Sequence, residues 1–205
     1  MKKPMHAKRT ILSTLFAASL VIPAVGQACT SLLYRDAKGA AYAGRTMELP
    51  AELAYQVAFY PEGSSFSSQA DQHEALEYAA EYAFVSITVP DPVTKDHKVV
   101  EGLNDQGLSF SLLAFASTAG PKDMSDKTLK VLSAIDLGSW ALSQFATVDE
   151  VKAALDEQPV LVTALLPLDL LKSPFHYTLH DAKGQSIVIE FADGKQRVKT
   201  TRSVS

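Results

Sequence analysis

The chain has one cysteine, one asparagine and one tryptophan among 205 residues. A single thiol can form neither an internal disulfide nor a multi-cysteine zinc site, so Cys29 is either inert or reactive. The 10 glycines and 10 prolines follow no period and only 20% of residues are charged, which excludes collagen-like, low-complexity and coiled-coil chains. No phosphate-binding loop, dinucleotide fingerprint or Gly-x-Ser-x-Gly elbow occurs; Gly107-Leu108-Ser109-Phe110-Ser111 fails the last of these at its final position. Long apolar runs are also missing. Ile11 to Val25, interrupted by Pro23, falls short of the ~20 residues that cross a bilayer as a helix, and no permanent membrane span is expected.

What is present suits one exported domain. Apolar residues make up 47% of the chain, enough to build a core. Lys2, Lys3, Lys8 and Arg9 precede the apolar stretch, and Gly26-Gln27-Ala28 follows it as a small-residue cleavage site, so residues 1–28 read as a secretory signal peptide. Cleavage after Ala28 leaves 177 residues with net charge −8 and a periplasmic or secreted location. That acidic balance argues against nucleic acid or an anionic membrane as partner. It also makes Cys29 the new N-terminus.

The rest reads as mixed α and β structure with a strong β component. Thr30 to Arg35 and Ala40 to Arg45 form a hairpin across Asp36-Ala37-Lys38-Gly39. Strands are expected over Tyr55 to Tyr60, Tyr82 to Val89 and Leu108 to Phe115, with Ser- and Gly-rich Pro61 to Gln72 as a surface loop. Helix is expected between Thr128 and Phe145, and again from Val148 to about Leu155, where Thr147 and Glu150 have capping-box spacing. A second Asp-Ala-Lys-Gly turn, Asp181 to Gly184, joins Phe175 to His180 with Ser186 to Phe191, and a last strand follows Asp193-Gly194. Asn104 suits a hairpin corner. His176 and His180, four apart in a strand-like run without a third ligand, give no reason to expect a metal.

An N-terminal cysteine carries both a nucleophile and a base, because its α-amine (pKa about 7.7–8.0) and thiol (about 8.5) exchange a proton almost evenly near neutral pH. The thiolate can attack an amide carbonyl, and the ammonium can return the proton to the leaving nitrogen. Such a site also needs a cation to favour the thiolate, an acid to orient the amine, and N–H donors for the oxyanion. Arg45 and Glu48, at the far end of the first hairpin, are candidates for the first two roles.

Cys29-Thr30-Ser31-Leu32-Leu33-Tyr34 followed by Gly44-Arg45-Thr46-Met47-Glu48 resembles the opening of the choloylglycine hydrolase and penicillin V acylase family, linear amide C–N hydrolases of the N-terminal-nucleophile superfamily. Further ordered matches are Glu101 to Leu108, Phe145 to Val151, and His176 to Asp181 leading into Ser186 to Glu190. The resemblance implies an α+β fold, the αββα four-layer sandwich. It makes Cys29 the nucleophile and base, sets Arg45 beside the thiol, puts Glu48 where the family has an Asp that contacts the terminal amine, and gives the backbone N–H of Ala114 to the oxyanion. No cofactor or metal is implied. The substrate would be a small amide such as penicillin V, a conjugated bile acid or an N-acyl homoserine lactone.

The sequence departs from the family in several places. Ala114 replaces the Asn typical of bile-salt-cleaving members and the Tyr typical of penicillin-cleaving ones, and Leu49 stands where several members have an aromatic residue. The family's second oxyanion donor, an Asn side chain, follows the strand that here reaches Ser205, and a further active-site Arg comes later still. The 205 residues therefore read as the N-terminal part of such an enzyme, with weak or no turnover and an incomplete sandwich; a homo-oligomer is expected only of the completed fold. Three competing readings stand beside these. Cys29 can be a bystander thiol. It can instead be the lipid-bearing residue of a non-catalytic envelope protein, although the site lacks the Leu-like residue usual three positions before a lipidated cysteine. Arg45 can be a surface ion-pair partner of Glu48.

Overall fold

The computed structural model describes residues 29–48, 53–91, 95–115, 118–121, 126–163 and 175–202. The expected signal peptide, Leu49, and residues 203–205 of the expected last strand lie outside them. The strands are β1 (Ser31–Arg35), β2 (Ala41–Arg45), β3 (Gln56–Tyr60), β4 (Ser65–Ser68), β5 (Leu76–Ala79), β6 (Phe84–Pro90), β7 (His97–Asn104), β8 (Ser109–Ala114), β9 (Leu132–Ser133), β10 (Val160–Leu161), β11 (Phe175–His180), β12 (Gln185–Ala192) and β13 (Lys195–Arg202). A 3₁₀ turn, Ala134–Asp136, leads into α1 (Leu137–Gln144), and α2 (Val148–Glu157) follows.

The repeated tetrapeptide makes two turns of the same kind. Gly39 and Gly184 sit at φ +85° and +78°, a region that side chains disfavour. Asp36 Oδ1 accepts from the backbone of Lys38 and Ala40, both at 2.9 Å, which closes the β1–β2 turn. Asp181 closes the β11–β12 turn by accepting from Gln185 N at 2.9 Å, and its other oxygen accepts from Val148 N at 3.2 Å. The buried aspartate thus ties that turn to the N-terminus of α2. The α2 cap has both halves of its box: Thr147 Oγ1 accepts from Glu150 N at 3.3 Å, while Glu150 Oε2 accepts from Thr147 N at 3.2 Å.

Seven antiparallel strands form the main sheet in the order β13-β12-β11-β8-β7-β6-β3. One face carries Phe84, Phe110, Leu112, Tyr177, Leu179, Ile187 and Ile189, which pack against Leu137, Trp140 and Leu142 of α1 and Val148, Val151 and Leu155 of α2 in a single core. Gly138 lets α1 lie close to β7 and β8: a Cβ there would come within 2.7 Å of the Phe110 ring and 2.8 Å of Val99 Cβ. Asn104 fastens the β7–β8 corner to the end of α1, donating to Leu142 O at 2.9 Å and Phe145 O at 2.7 Å while accepting from Leu108 N at 2.9 Å and Gln106 N at 3.1 Å.

The opposite face is polar beneath the β1–β2 hairpin, where Glu101, Ser109, Ser111, Thr178, His180 and Ser186 lie, and apolar towards β3. There Val57, Phe59, Val85 and Leu103 are 45% to 79% exposed. A cleft of about 690 Å³ separates the hairpin from this apolar part, lined by Leu33, Tyr42, Val57, Ile87, Leu103 and Glu101 among others. The pairing of β6 with β7 slips between Ile87 and Thr88: Ile87 opposes Glu101 and Thr88 opposes Val99, leaving Val100 as an extra residue. This bulge breaks the strict alternation of β7. Val99 and Val100 both join the core, and Glu101 turns to the hairpin face.

Two expectations are corrected. Pro61 to Gln72 is not simply a loop, since β4 lies inside it and pairs with β5 just beyond its end. Phe66 supplies the reason: its ring stacks on Tyr78 and Phe84 and packs on Tyr60, so one aromatic anchors a serine-rich stretch. The segment from Thr128 is not helical until Ala134, because Leu132 and Ser133 instead pair in parallel with Val160 and Leu161.

Candidate active site

The hairpin register sets Ser31 opposite Arg45. Beyond the last pair, Thr46 N donates to Thr30 O at 2.9 Å and Thr30 N donates to Thr46 Oγ1 at 3.0 Å, so the strands stay zipped up to Cys29. Cys29, partly buried, lies beside the backbone of Glu48, whose carbonyl oxygen is 3.8 Å from Sγ. Burial alone would push the thiol up. Backbone hydrogen bonds from Ala114 and Glu48, then the positive charge and hydrogen bond of Arg45, outweigh it and hold the thiol below its ordinary value. The four residues singled out from the sequence, Cys29, Arg45, Glu48 and Ala114, are therefore brought together. Glu48 meets the sulfur through its backbone.

Ala114 reaches the sulfur because β8 outlasts its neighbour. β7 pairs with β8 only as far as Glu101 opposite Ser111, while β11 continues to pair up to Phe175 opposite Ala114. The last residues of β8 therefore lack a β7 partner on that side, and the bulge at Val100 lies at that point of β7.

Arg45 is buried, with only 6% of its side chain exposed, and its partner is Glu101, 56 positions on, rather than Glu48. Its NH1 lies 3.3 Å from Glu101 Oε2, and its Nε donates to Thr46 O at 3.2 Å. Glu101 Oε1 accepts from Ser111 Oγ at 2.9 Å. Burial pushes the Glu101 carboxyl up, with Ser111 and Arg45 pulling it back. Tyr55 belongs to the same neighbourhood: burial raises its phenol, the Arg45 charge lowers it and a Cys29 thiolate raises it.

A second group of side chains holds the hairpin to the sheet. Thr178 Oγ1 donates to Ser31 Oγ at 3.0 Å, His180 Nε2 lies 3.0 Å from Ser31 Oγ, and His180 Nδ1 lies 2.7 Å from Ser186 Oγ. Burial lowers His180, with Asp181 opposing. The sequence alone marks none of Glu101, Ser111, Tyr55, Ser31 or His180 for a role. Ser31, Glu101 and His180 do lie within ordered motifs, whereas Ser111 and Tyr55 carry no such signal. Among the described residues no group of three or more His, Cys, Asp or Glu side chains is arranged to hold a metal, and no helix is long and apolar enough to cross a membrane.

The model of the linear amide C–N hydrolases, choloylglycine hydrolase family, matches residues 29–202. A penicillin V acylase of Pectobacterium atrosepticum is 30% identical over 202 residues, which are 95% of this chain and 54% of that protein. A bile salt hydrolase/transferase of Clostridium perfringens is 25% identical over 170 residues, 83% of this chain and 50% of that protein. Among solved structures, penicillin V acylase from Agrobacterium tumefaciens superposes with a TM-score of 0.70 at 23% identity, covering 84% of this chain and 49% of the other. A mutant conjugated bile acid hydrolase from Clostridium perfringens gives 0.68 at 22% identity, covering 85% and 51%. The chain thus spans about half the length of the relatives it matches. These likenesses show the fold to be the αββα class expected from the sequence, of which the described residues form one helix-covered sheet and a hairpin on its other face.

Proposed function

The chain belongs to the choloylglycine hydrolase family of linear amide C–N hydrolases, and from that premise we propose that it hydrolyses a small linear amide with Cys29 as an N-terminal nucleophile. The observation that carries this reading is the surroundings of one sulfur: the Ala114 and Glu48 backbones and the Arg45 guanidinium favour the thiolate. Removal of residues 1–28 on export to the periplasm or medium frees the Cys29 amine. The thiolate attacks the substrate carbonyl, the Ala114 N–H meets the oxyanion, and the ammonium, oriented by Glu48, protonates the leaving amine. Water, deprotonated by the amine, then hydrolyses the thioester and restores the thiol.

Penicillin V, conjugated bile acids and N-acyl homoserine lactones are the substrates to assay first, the first two matching the names of the relatives. Turnover by residues 29–205 alone is expected to be weak, since the resemblance calls for a second oxyanion donor and loss of one such donor costs about 10²–10³ in rate. The test is the intact mass of the exported protein together with acyl-amide hydrolysis by the parent and Cys29→Ser. A free Cys29 terminus, with hydrolysis lost in a folded Cys29→Ser chain, is expected. An acylated terminus, or hydrolysis unchanged by the substitution, overturns the reading.

A further inference from the structure

We propose that Glu101 is a positioning residue for the Cys29 site: by gripping Arg45 it keeps the guanidinium against the sulfur, which Glu101 itself does not touch. The proposal rests on the reading of Cys29 as nucleophile and adds a part to it from the main sheet beneath the hairpin.

Both carboxylate oxygens of Glu101 are committed, Oε2 to Arg45 NH1 at 3.3 Å and Oε1 to Ser111 Oγ at 2.9 Å. Ser111 is its direct cross-strand neighbour, so the serine fixes the carboxylate from a rigid position in the middle of the sheet. The Val100 bulge turns Glu101 to this face. Arg45 has few alternatives, because its side chain is almost wholly buried and its other hydrogen bonds run to the backbone of Thr46 and to the Cys29 sulfur. Its long side chain has several rotamers, and the carboxylate selects the one beside Cys29.

Glu101 acts on the thiolate in two opposed ways, and this gives the idea a sign that can be tested. Its negative charge disfavours the thiolate directly, whereas its hold on Arg45 favours it. A mere neighbouring charge would therefore make the thiol more acidic when removed; a positioning residue makes it less acidic. Arg45 and Tyr55 are the groups in electrostatic contact with the sulfur.

Cys29 is the only thiol in the chain, so iodoacetamide reports on this one atom whether or not any amide is hydrolysed. The experiment follows alkylation rate against pH. Glu101→Met, which removes charge and acceptor, is expected to shift the midpoint upward by about one pH unit, a roughly tenfold slower alkylation below the midpoint. Glu101→Gln, which keeps an acceptor for Arg45, is expected to restore most of the rate. In an Arg45→Met background Glu101→Met is expected to have no further effect. An unchanged or more acidic midpoint in folded Glu101→Met, or a further shift in the Arg45→Met background, overturns the proposal. Should Glu101→Met not fold, Ser111→Ala reads the same device: an upward shift smaller than one unit supports it and an unchanged profile overturns it. An inactive protein whose parent thiol titrates low and responds as expected would defeat the amidase reading and leave this one standing.

Discussion

Ser31 Oγ lies 3.0 Å from His180 Nε2 across 149 positions of sequence, which places the start of β1 against the middle of the main sheet. Ser31 is two residues from Cys29, so this bond helps set where the sulfur sits. His180 is also bound at Nδ1 by Ser186, and its ring is buried.

Burial holds the folded-state pKa of His180, and that of His176, below the ordinary imidazole value. The unfolded chain takes up protons near pH 6.5, at about the free imidazole value, that the folded chain refuses until lower pH. Unfolding free energy therefore falls as pH drops below that value, until the folded pKa is passed. Glu101, whose carboxyl is raised by burial, works in the opposite sense in the carboxylate range, so parent and variant must be compared. Urea midpoints at pH 7.5 and 5.5 are expected to differ less in His180→Gln than in the parent. An identical difference would mean that this imidazole does not contribute.

Asn104 is a structural corner. Asn104→Ala removes four hydrogen bonds and strands the carbonyls of Leu142 and Phe145 at the end of α1. A loss of about 3 kcal/mol is expected from unmade buried bonds of this kind, read by urea unfolding. A loss below about 1 kcal/mol would show that water replaces the amide.

Gly138→Ala sets two effects against each other. Alanine is better than glycine in a helix by about 1 kcal/mol. The new methyl would press on Phe110 and on Val99 Cβ at 2.7 and 2.8 Å, with core overpacking costing about 1–3 kcal/mol. Net destabilisation is expected in thermal unfolding, relieved by Val99→Ala in the same chain; a raised melting temperature in the single variant would refute the close approach.

Thr147→Ala breaks the α2 capping box and is expected to cost about 1 kcal/mol in equilibrium unfolding, with Thr147→Ser near neutral. Equal losses in the two variants would assign the effect to packing of the threonine methyl.

Local chemistry made much of this readable in advance. Asp36-Ala37-Lys38-Gly39 and Asp181 to Gly184 announced their turns because the side chain and the glycine do all the work within four residues. Thr147 and Glu150 announced α2 for the same reason. What stayed hidden depends on partners far away. β4 needs Phe66 to find Tyr60 and Phe84, and β9 is a strand only because β10 lies beside it. At the site, Cys29 and Arg45 were legible through a short hairpin. Their support was not: Glu101 and His180 come from 56 and 149 residues beyond the hairpin positions they hold, and no periodicity encodes that.

The Val100 bulge also makes the position of a length change in β7 matter more than its size. Val99 and Glu101 oppose adjacent residues of β6, Thr88 and Ile87, so loss of Val100 alone would join them into a regular strand, with Val99 on the core face and Glu101 still on the hairpin face. A core valine would be lost, and the carboxylate would keep its place opposite Ser111 and Arg45. Between Glu101 and Asn104 the pairing is regular, so a single-codon deletion there would put either Glu101 or the Asn104 corner on the wrong face, and natural variation along β7 is expected to keep that spacing even where it changes side chains.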